Sequence, residues 1–448
     1  MKKEFQAAYV PIGVGTFHME SAQALFDTSK ELLKKHLDNV IVPEKMILNI
    51  DALSEYLDTI DPDLIILQNL TFANAAYTAE IMHRFRDVPL LLWTLREPVI
   101  DGTRLRLNAL TGAFSAANTI RQFKKEPFEF VYGSPDEAAV EETVKKMIAA
   151  ARVHFEMKSL KMAAIGHTPQ GFGFGRALDN DLLEVFGVHQ EAIEARELID
   201  AAKAFSDEEC EEYLKDAENR TVGLSETPEK NRLDFARLYK AYDEYVKKNQ
   251  IGAIASRCWP DFFTAFGTPV CAVLGILNDL GVVAACESDM YGALSMWIGM
   301  RLSEKSVFFG DPVSLDEKKN TITFWHCGMA ACSLARKDTG AVIGEHCNRH
   351  IGPTMEFGCE ASEHACVFRI GRNPDGTFRF FIAEGKAIDA PKQFFGTSTV
   401  IEMDFDAEMI VRESVISGWE PHYAVIYADV ADELEMLARM FNAEVRRY

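Results

Sequence analysis

The sequence predicts an α/β protein in which two open α/β (Rossmann-like) domains precede a mostly antiparallel β-rich domain. Short apolar runs alternate with helical segments in the first third of the chain, and the same pattern starts again after residue 160. From about residue 305, strand-like runs separated by turn residues replace it. We therefore predict three domains, at residues 1–157, 158–304 and 305–448.

The strands of the first domain are short apolar runs, as expected for buried parallel strands. They are predicted at Ala7–Ile12, Leu64–Gln68 and Leu90–Leu95, with helices at about 18–36, 73–86, 106–124 and 135–157. Ligands of such sheets gather at the carboxyl ends of the strands. The polar loop after the third strand is thus a candidate ligand-binding segment, unless its arginines are ordinary surface residues. Its candidate substrate-binding residues are Trp93, Arg96, Arg104, Arg106 and Asn108.

The second and third domains are predicted from the same kind of pattern. The second domain begins with a strand at Lys161–Gly166 and contains another at Ile251–Ser256, which leads to Arg257. In the third domain, antiparallel strands form a small barrel or sandwich, and a last helix lies at about 429–442. Its predicted strands are Thr321–Trp325, Ala365–Ile370 and Phe378–Ala383.

Composition and charge narrow the function classes. The 448 residues carry a formal net charge of −21, which disfavours nucleic acid and anionic membranes as partners. An anionic small substrate stays open, because a local arginine cluster can outweigh a distant, screened field. The sequence contains no run of 18 apolar residues, so we expect no transmembrane helix. The first residues also lack the apolar core of a signal peptide. Nine cysteines in a chain of this length indicate reduced thiols and a cytoplasmic protein.

Two carboxylates end apolar runs. Glu287 follows the apolar stretch 273–285, and Asp311 closes the run 306–310, 24 residues later. A carboxylate in such a place has to be paired, hydrogen-bonded or metal-bound, because burying it alone costs many kcal/mol. The pair therefore indicates a metal site or an acid/base pair, and a nearby histidine would indicate both.

Other motifs are weaker. The glycine-rich segment 171–175 lacks the spacing and the lysine of a P-loop, so it favours a substrate-lining or strand-crossing loop. Cys347 and His350, with Cys359 and Cys366, fit no common zinc module. The alternative is a polar loop, 345–356, whose Arg349 and His350 suit sugar hydroxyls or an anionic group. His326 and His422, each taken alone, are unremarkable.

The ordered set of motifs resembles the L-fucose/L-arabinose isomerase superfamily, in particular its shorter fucose-isomerase-like branch. The matching pieces spread over nearly the whole chain. They are Glu97-Pro98 with Gly102–Asn108, Gly166–Phe172, Glu287-x-Asp289 with Gly292–Leu294, Asp311 with Asn320 and His326–Gly328, and the late His422. The three-domain reading agrees with the fold of that family.

The resemblance implies a metal-dependent aldose–ketose isomerase that moves a proton between C1 and C2 of an open-chain sugar through an enediolate. It implies Mn²⁺, or another divalent ion such as Co²⁺ or Mg²⁺, held by Glu287, Asp311 and His422. His326 would be a fourth ligand or a substrate contact. Glu287 and Asp311 would be the catalytic pair, with their roles unassigned. A homo-oligomer, hexameric or built from dimers or trimers, would place the site near a subunit interface.

The resemblance leaves the substrate open. Similar chains of this length act on deoxy or pentose sugars and on sulfoquinovose, which would give 6-deoxy-6-sulfofructose. An anionic C6 group needs a guanidinium partner, for which Arg104, Arg106, Arg257 and Arg349 are the candidates. Trp419, three residues before His422, is a further candidate substrate contact. A non-catalytic sugar-binding protein on the same scaffold is the alternative from another class.

Overall fold

A computed structural model describes residues 4–123 and 128–448. The chain forms two compact units, one made of residues 1–156 with 432–443 and the other of residues 157–431 with 444–448. The elements are those of a mixed α/β protein with two parallel sheets and an antiparallel C-terminal sheet, as predicted. Division into three domains with boundaries after residues 157 and 304 stays a prediction. Within the described ranges, no helix is both long and apolar enough to cross a membrane.

The first unit is built on a five-stranded parallel sheet with the strand order β2-β1-β3-β4-β5. Its strands are β1 (Ala7–Ile12), β2 (Val40–Ile41), β3 (Leu64–Asn69), β4 (Leu90–Thr94) and β5 (Glu129–Tyr132). Its helices are α1 (Met19–His36), α2 (Ile50–Leu57), α3 (Ala75–Arg84), α4 (Ala109–Phe123), α5 (Ala138–Met157) and the late α13 (Ala431–Met440). Every residue of β1, β3 and β4 is buried, which explains why these strands were visible as apolar runs.

The second unit begins with a four-stranded parallel sheet of order β7-β6-β8-β9. Its strands are β6 (Lys161–Ile165), β7 (His189–Ile193), β8 (Ala253–Ser256) and β9 (Val283–Cys286). Its helices are α6 (Asp179–Phe186), α7 (Ala195–Ala204), α8 (Asp207–Arg220), α9 (Glu229–Asn249), α10 (Cys271–Asp279) and α11 (Met290–Ser303). Helix α8 starts with a capping box, in which Ser206 and Glu209 bond each other's backbone amides.

The β-rich part of the second unit is a barrel. Strands β14, β17, β10, β11, β16 and β15 pair in that order, and β14 also pairs with β15, so the sheet closes on itself. These strands are β10 (Phe308–Asp316), β11 (Thr321–His326), β14 (Ser362–Arg372), β15 (Phe378–Ala387), β16 (Thr397–Met403) and β17 (Tyr423–Ile426). The remaining elements are β12 (Ile343–Gly344), β13 (Thr354–Met355), α12 (Ala407–Ile416) and β18 (Glu444–Arg447), the last parallel to β15. Of the two predicted architectures, the barrel is confirmed.

Candidate active site

Three strands of the second parallel sheet bring polar loops to one edge. Glu287 directly follows β9, Trp259 lies three residues beyond β8, and Gly166 follows β6. In the sheet order β7-β6-β8-β9, the last three strands are neighbours and all are parallel. Carboxyl ends of neighbouring parallel strands meet at the same edge, where ligands of α/β sheets bind. Glu287 therefore lies at the carboxyl edge of the sheet, where ligands of α/β proteins are expected to bind.

The turn that carries Glu287 has an unusual backbone. Glu287 and Ser288 have φ values of 58° and 55°, in the left-handed region that side chains with a Cβ rarely adopt. Asp289 then caps α11 by accepting the Gly292 backbone N–H at 2.8 Å. Consecutive non-glycine residues in this region are strained, and such strain concentrates at functional sites. The strained turn makes this position a candidate for a functional site.

Three adjacent barrel strands contribute the other groups. Asp311 lies in β10, paired with Trp325 of β11, and His326 is the next residue of that strand. His422 directly precedes Tyr423, which pairs with Gly310 of β10. The order β17-β10-β11 thus brings together three side chains that are far apart in the sequence. The pairing register explains why the late histidine meets the two carboxylates.

These groups converge on Nε2 of His422. The Glu287 Oε2 atom lies 3.0 Å from it and the Asp311 Oδ1 atom 3.5 Å from it. Donor atoms of Glu287, His326 and His422 all lie within 4.8 Å of one another. His326 and His422 are 2% and 1% exposed. The structure therefore brings together the four predicted metal-site residues, with Asp311 slightly outside the tightest group.

Asp289 contacts the cluster, although it was named in the sequence only as part of a motif and not as a site residue. Its Oδ2 atom lies 2.8 Å from His422 Nδ1 and also accepts from the Arg369 guanidinium at 2.6 Å. The second guanidinium nitrogen lies 3.1 Å from Oδ1, so the ion pair is bidentate and fully buried. A carboxylate paired in this way accepts a hydrogen bond from the imidazole Nδ1–H, so that Nε2 faces Glu287 and Asp311. The motif Glu287-x-Asp289 could have indicated this contact. An aspartate that caps a buried helix can also accept a hydrogen bond from the ring of a nearby histidine.

The charges of the cluster shift its pKa values. Burial lowers the pKa of His422, but hydrogen bonds to Asp289 and Glu287 and the charges of Asp289 and Asp311 raise it to about 10. Burial acts to raise the pKa of Glu287, but His422 and Trp259 bond its carboxylate and the net shift is downward. Burial raises the pKa of Asp311. Three carboxylates around one imidazole thus favour positive charge at this place.

The donor set fits a divalent cation of intermediate hardness. Carboxylate oxygens together with imidazole nitrogens suit Mn²⁺ and similar ions. The ligating histidine that donates its second ring N–H to a carboxylate is the usual arrangement around bound metals. Glu287, Asp311, His326 and His422 would hold the ion, and Asp289 would orient His422.

Aromatic rings border the cluster. Phe174 and Phe309 lie 5.3 and 4.8 Å from the His422 ring, and Phe172 lies 6.3 Å from it. Trp259 donates its Nε1–H to Glu287 Oε1 at 2.9 Å and packs edge-on against Phe172 at 5.8 Å. The glycine-rich segment therefore carries aromatic side chains to the cluster, which agrees with the substrate-lining interpretation rather than with phosphate binding.

Two of the candidate arginines lie near Trp259. The Arg349 guanidinium stacks over the rings of Trp259 and Phe263, at 5.5 and 4.8 Å from their centroids. Arg257 is held by Asp261 at 2.8 Å and by His167 at 3.1 Å. In the part of the chain that the structure describes, Arg349 has no carboxylate partner. His350, with φ 52°, is exposed in the same loop.

The candidates from the first unit form a separate loop. Glu97 organises it by accepting backbone N–H groups of Arg106, Leu107 and Asn108 at 2.6 to 3.2 Å. Arg96 pairs with Glu137, and Arg104 donates to the Thr16 carbonyl at 2.5 Å. This loop explains why α4 begins at Ala109 and not at about 106.

Trp93 and Trp419 have structural surroundings. Trp93 is fully buried and donates its indole N–H to the Gly133 carbonyl at 3.0 Å. Trp419 packs edge-on against Phe381 at 5.4 Å and under the Arg379 guanidinium at 4.0 Å. Both rings are therefore accounted for by packing, and a substrate contact for either one stays a prediction.

Comparison with known proteins gives full-length matches, although no family model matches the sequence. The chain is 60% identical over 445 residues, 99% of each chain, to the sulfoquinovose isomerase of Clostridium sp. (strain MSTE9). It is 36% identical over 444 residues, 98% of each chain, to the sulfoquinovose isomerase of Priestia megaterium (strain ATCC 12872 / QMB1551). The sulfoquinovose isomerase of Alkalicoccus urumqiensis is also 36% identical, over 445 residues and 98% of each chain.

Proposed function

The chain belongs to the sulfoquinovose isomerase family, and from this premise we propose that it converts sulfoquinovose into 6-deoxy-6-sulfofructose. Sulfoquinovose is a glucose that carries a sulfonate at C6. The predicted class of enzyme, an aldose–ketose isomerase, is confirmed by family membership. Of the alternatives left open by the sequence, the anionic sugar is now favoured over a neutral one. A sugar-binding protein without activity is disfavoured, because binding alone requires no such cluster.

The observation that carries the proposal is the convergence of Glu287, Asp311 and His422. When bound there, a divalent ion such as Mn²⁺ would polarise the sugar carbonyl and bind neighbouring sugar oxygens. Glu287, Asp311 and His422, with His326, would hold it. The identity of the ion as Mn²⁺ is part of the proposal and rests on the mixed oxygen and nitrogen donor set.

The protein's own carboxylates would move the protons. Isomerisation transfers one hydrogen from C2 to C1 and another from O2 to O1 of the open-chain sugar, through an enediolate. Carboxylate oxygens of Glu287 and Asp311 lie 3.0 and 3.5 Å from His422 Nε2, and each carboxylate could act at one carbon of the pair. Trp259 fixes one oxygen of Glu287, so that carboxylate is oriented before substrate arrives.

Arg349 is the residue best suited to bind the sulfonate. Its guanidinium stacks on Trp259, whose indole nitrogen bonds Glu287, so one aromatic ring separates it from the cluster. A guanidinium without a carboxylate partner can offer its parallel N–H groups to two sulfonate oxygens. Arg257 is a weaker candidate because Asp261 already neutralises it. The exposed His350 would add a hydrogen bond to the same group or to a sugar hydroxyl.

Three further expectations are also proposals. The Rossmann-like class of the two parallel sheets rests on the strand and helix pattern, and the cytoplasmic location rests on the cysteine content. A homo-oligomer with the site near a subunit interface rests on the resemblance. In such an oligomer, the loop of Arg96, Arg104, Arg106 and Asn108 would cover the site of a neighbouring subunit. That arrangement would give the loop organised by Glu97 a role in substrate binding.

The test is a metal-depletion assay on the full-length protein. The chelator-treated protein is incubated with sulfoquinovose or with glucose, then restored with Mn²⁺, and the products are followed by NMR. We expect ketose formation from sulfoquinovose only after restoration, with glucose a much poorer substrate. Failure of every divalent ion to restore turnover of sulfoquinovose would reject the proposal.

A further inference from the structure

We propose that Cys271, Cys327 and His346 form a second cation site, which takes a thiophilic ion of the Zn²⁺ class. One donor atom from each residue lies within 4.8 Å of the other two. The residues come from three parts of the second unit. Cys271 is the first residue of α10, Cys327 follows β11, and His346 lies in the loop between β12 and β13. This inference is independent of the proposed isomerase activity.

The surroundings resemble a metal site more than a set of isolated thiols. Cys271 is fully buried and His346 is 2% exposed. The Cys327 thiol hydrogen-bonds the thiols of both Cys271 and Cys286, so Cys286 offers a third sulfur, and a fourth donor, close to the same place. Zinc sites are commonly built from cysteine and histidine in this ratio, with bond lengths of about 2.0 to 2.3 Å. Donors of one such ion lie on the order of 3.5 to 4 Å apart, so only small side-chain movements are needed.

The His346 ring is available to a cation. Its Nδ1 atom lies 3.3 Å from the Asn348 backbone nitrogen, a long contact for a hydrogen bond. The ring edge packs against Phe263 at 5.0 Å, which fixes its orientation without using a nitrogen. The imidazole can therefore give up the weak amide contact for a metal bond.

The donor chemistry separates this site from the carboxylate cluster. Thiolates and imidazole select borderline and soft ions such as Zn²⁺, whereas carboxylates suit harder ions such as Mn²⁺. The two sites are neighbours, because the Cys327 sulfur lies 3.4 Å from Nδ1 of His326. We infer that a protein exposed to both ions binds each at its own site.

Cobalt substitution tests the site directly. Full-length protein is treated with a chelator under reducing conditions, dialysed against Co²⁺ or Zn²⁺, and examined by absorption spectroscopy and metal analysis. We expect the Co²⁺ protein to show cysteinate-to-cobalt charge-transfer absorption in the near ultraviolet, which a site of carboxylates and imidazoles cannot give. Cys271→Ala and Cys327→Ala should each abolish this band and reduce bound Zn²⁺ by about one ion per chain.

Two control variants test whether the absorption band comes from the proposed cysteine site. Cys210→Ala removes a buried thiol on α8 and should leave the band unchanged. Glu287→Gln alters the carboxylate cluster and should also leave it unchanged. Absence of the band from the wild-type protein overturns the proposal without any variant, even if the cysteine variants do not fold. Persistence of the band in both Cys271→Ala and Cys327→Ala, or its loss in Glu287→Gln, overturns it as well.

Discussion

The carboxylate of Asp289 lies 2.8 Å from Nδ1 of His422 and is held there by a buried bidentate bond from Arg369. This relationship fixes the direction of the late histidine, so that Nε2 meets Glu287 and Asp311. Asp289 and Arg369 therefore orient His422 within the cluster, although neither residue would touch the sugar.

Asp289→Asn should weaken Mn²⁺ binding by about 10- to 100-fold, because a neutral amide replaces the charged carboxylate that accepts the hydrogen bond of His422. The variant also leaves the Arg369 charge buried and unpaired, which costs about 3 to 5 kcal/mol of stability. The dissociation constant is measured by calorimetry and the stability by denaturant unfolding.

A double variant separates positioning from stability. Asp289→Asn combined with Arg369→Met leaves no buried charge unpaired, so stability should partly recover while Mn²⁺ binding stays weak. Asp243→Asn is the matched control, since Asp243 is also buried and paired, with Lys247 and Tyr213. Equal loss of Mn²⁺ affinity in this control, or none in Asp289→Asn, would refute the positioning role.

Gly292→Ala should damage the same arrangement through packing. An added Cβ would lie 2.6 Å from a Phe309 ring carbon, 2.8 Å from Asp289 Oδ2 and 2.9 Å from an Arg369 nitrogen. Overpacking of this kind costs about 1 to 3 kcal/mol, and here it also displaces the acceptor of His422. Gly173→Ala, where nothing lies within 4 Å of the added atom, is the control. Unfolding free energies and Mn²⁺ affinities that are equal in the two variants would contradict the prediction.

Arg349→Gln should raise KM for sulfoquinovose by roughly 10- to 100-fold, because hydrogen bonds to a charged group contribute about 1.5 to 3 kcal/mol. Turnover of glucose, which has no sulfonate, should change little. Steady-state kinetics on both sugars measure the effect, and Arg196→Gln, which removes an exposed arginine of α7, is the control. An equal increase of KM for both sugars would show that Arg349 does not recognise the sulfonate.

We expect the Arg96–Glu137 ion pair to make a small, pH-dependent contribution to the stability of the folded protein. Hydrogen bonds from Arg96 and from the Ser134 backbone lower the pKa of Glu137 from 4.5 to about 2. A lowered pKa stabilises the folded state above pH 4.5, and the effect is lost as the pH falls toward 2. Wild-type protein should therefore melt about 1 °C above Glu137→Gln at pH 7, a small difference because the pair is partly exposed. The difference should shrink below pH 4.5 and vanish below about pH 2, and a difference that stays constant over this range would argue against the shift.

Much of the fold could be predicted from the sequence, because buried parallel strands are continuous apolar runs. β1 was predicted at its observed bounds, and β3, β4 and β6 to within one residue. The short β2 and the partly exposed β5 and β7 were missed, since their burial patterns are mixed. The barrel was predicted only as one of two architectures, because it depends on long-range pairings such as β14 with β17 and β11 with β16, which no local pattern encodes.

The candidate site was predictable where its residues end apolar runs or match a motif, as Glu287 and Asp311 do. The spatial role of His422 came from the resemblance, and the barrel register now gives a physical reason for it. Asp289 was missed because a helix cap and a histidine acceptor are indistinguishable in sequence. Cys271 and His346 were missed because their proximity arises from three separate segments of the fold.

Solvent deuterium incorporation tests the central claim most directly. The Mn²⁺-loaded protein converts sulfoquinovose in D₂O, and the product is examined by NMR. If Glu287 and Asp311 transfer protons, the ketose should carry deuterium at C1, and Glu287→Gln and Asp311→Asn should each slow its formation at least about 100-fold. A product that contains only protium at C1 after many turnovers, or a Glu287→Gln variant with wild-type turnover, would contradict the account.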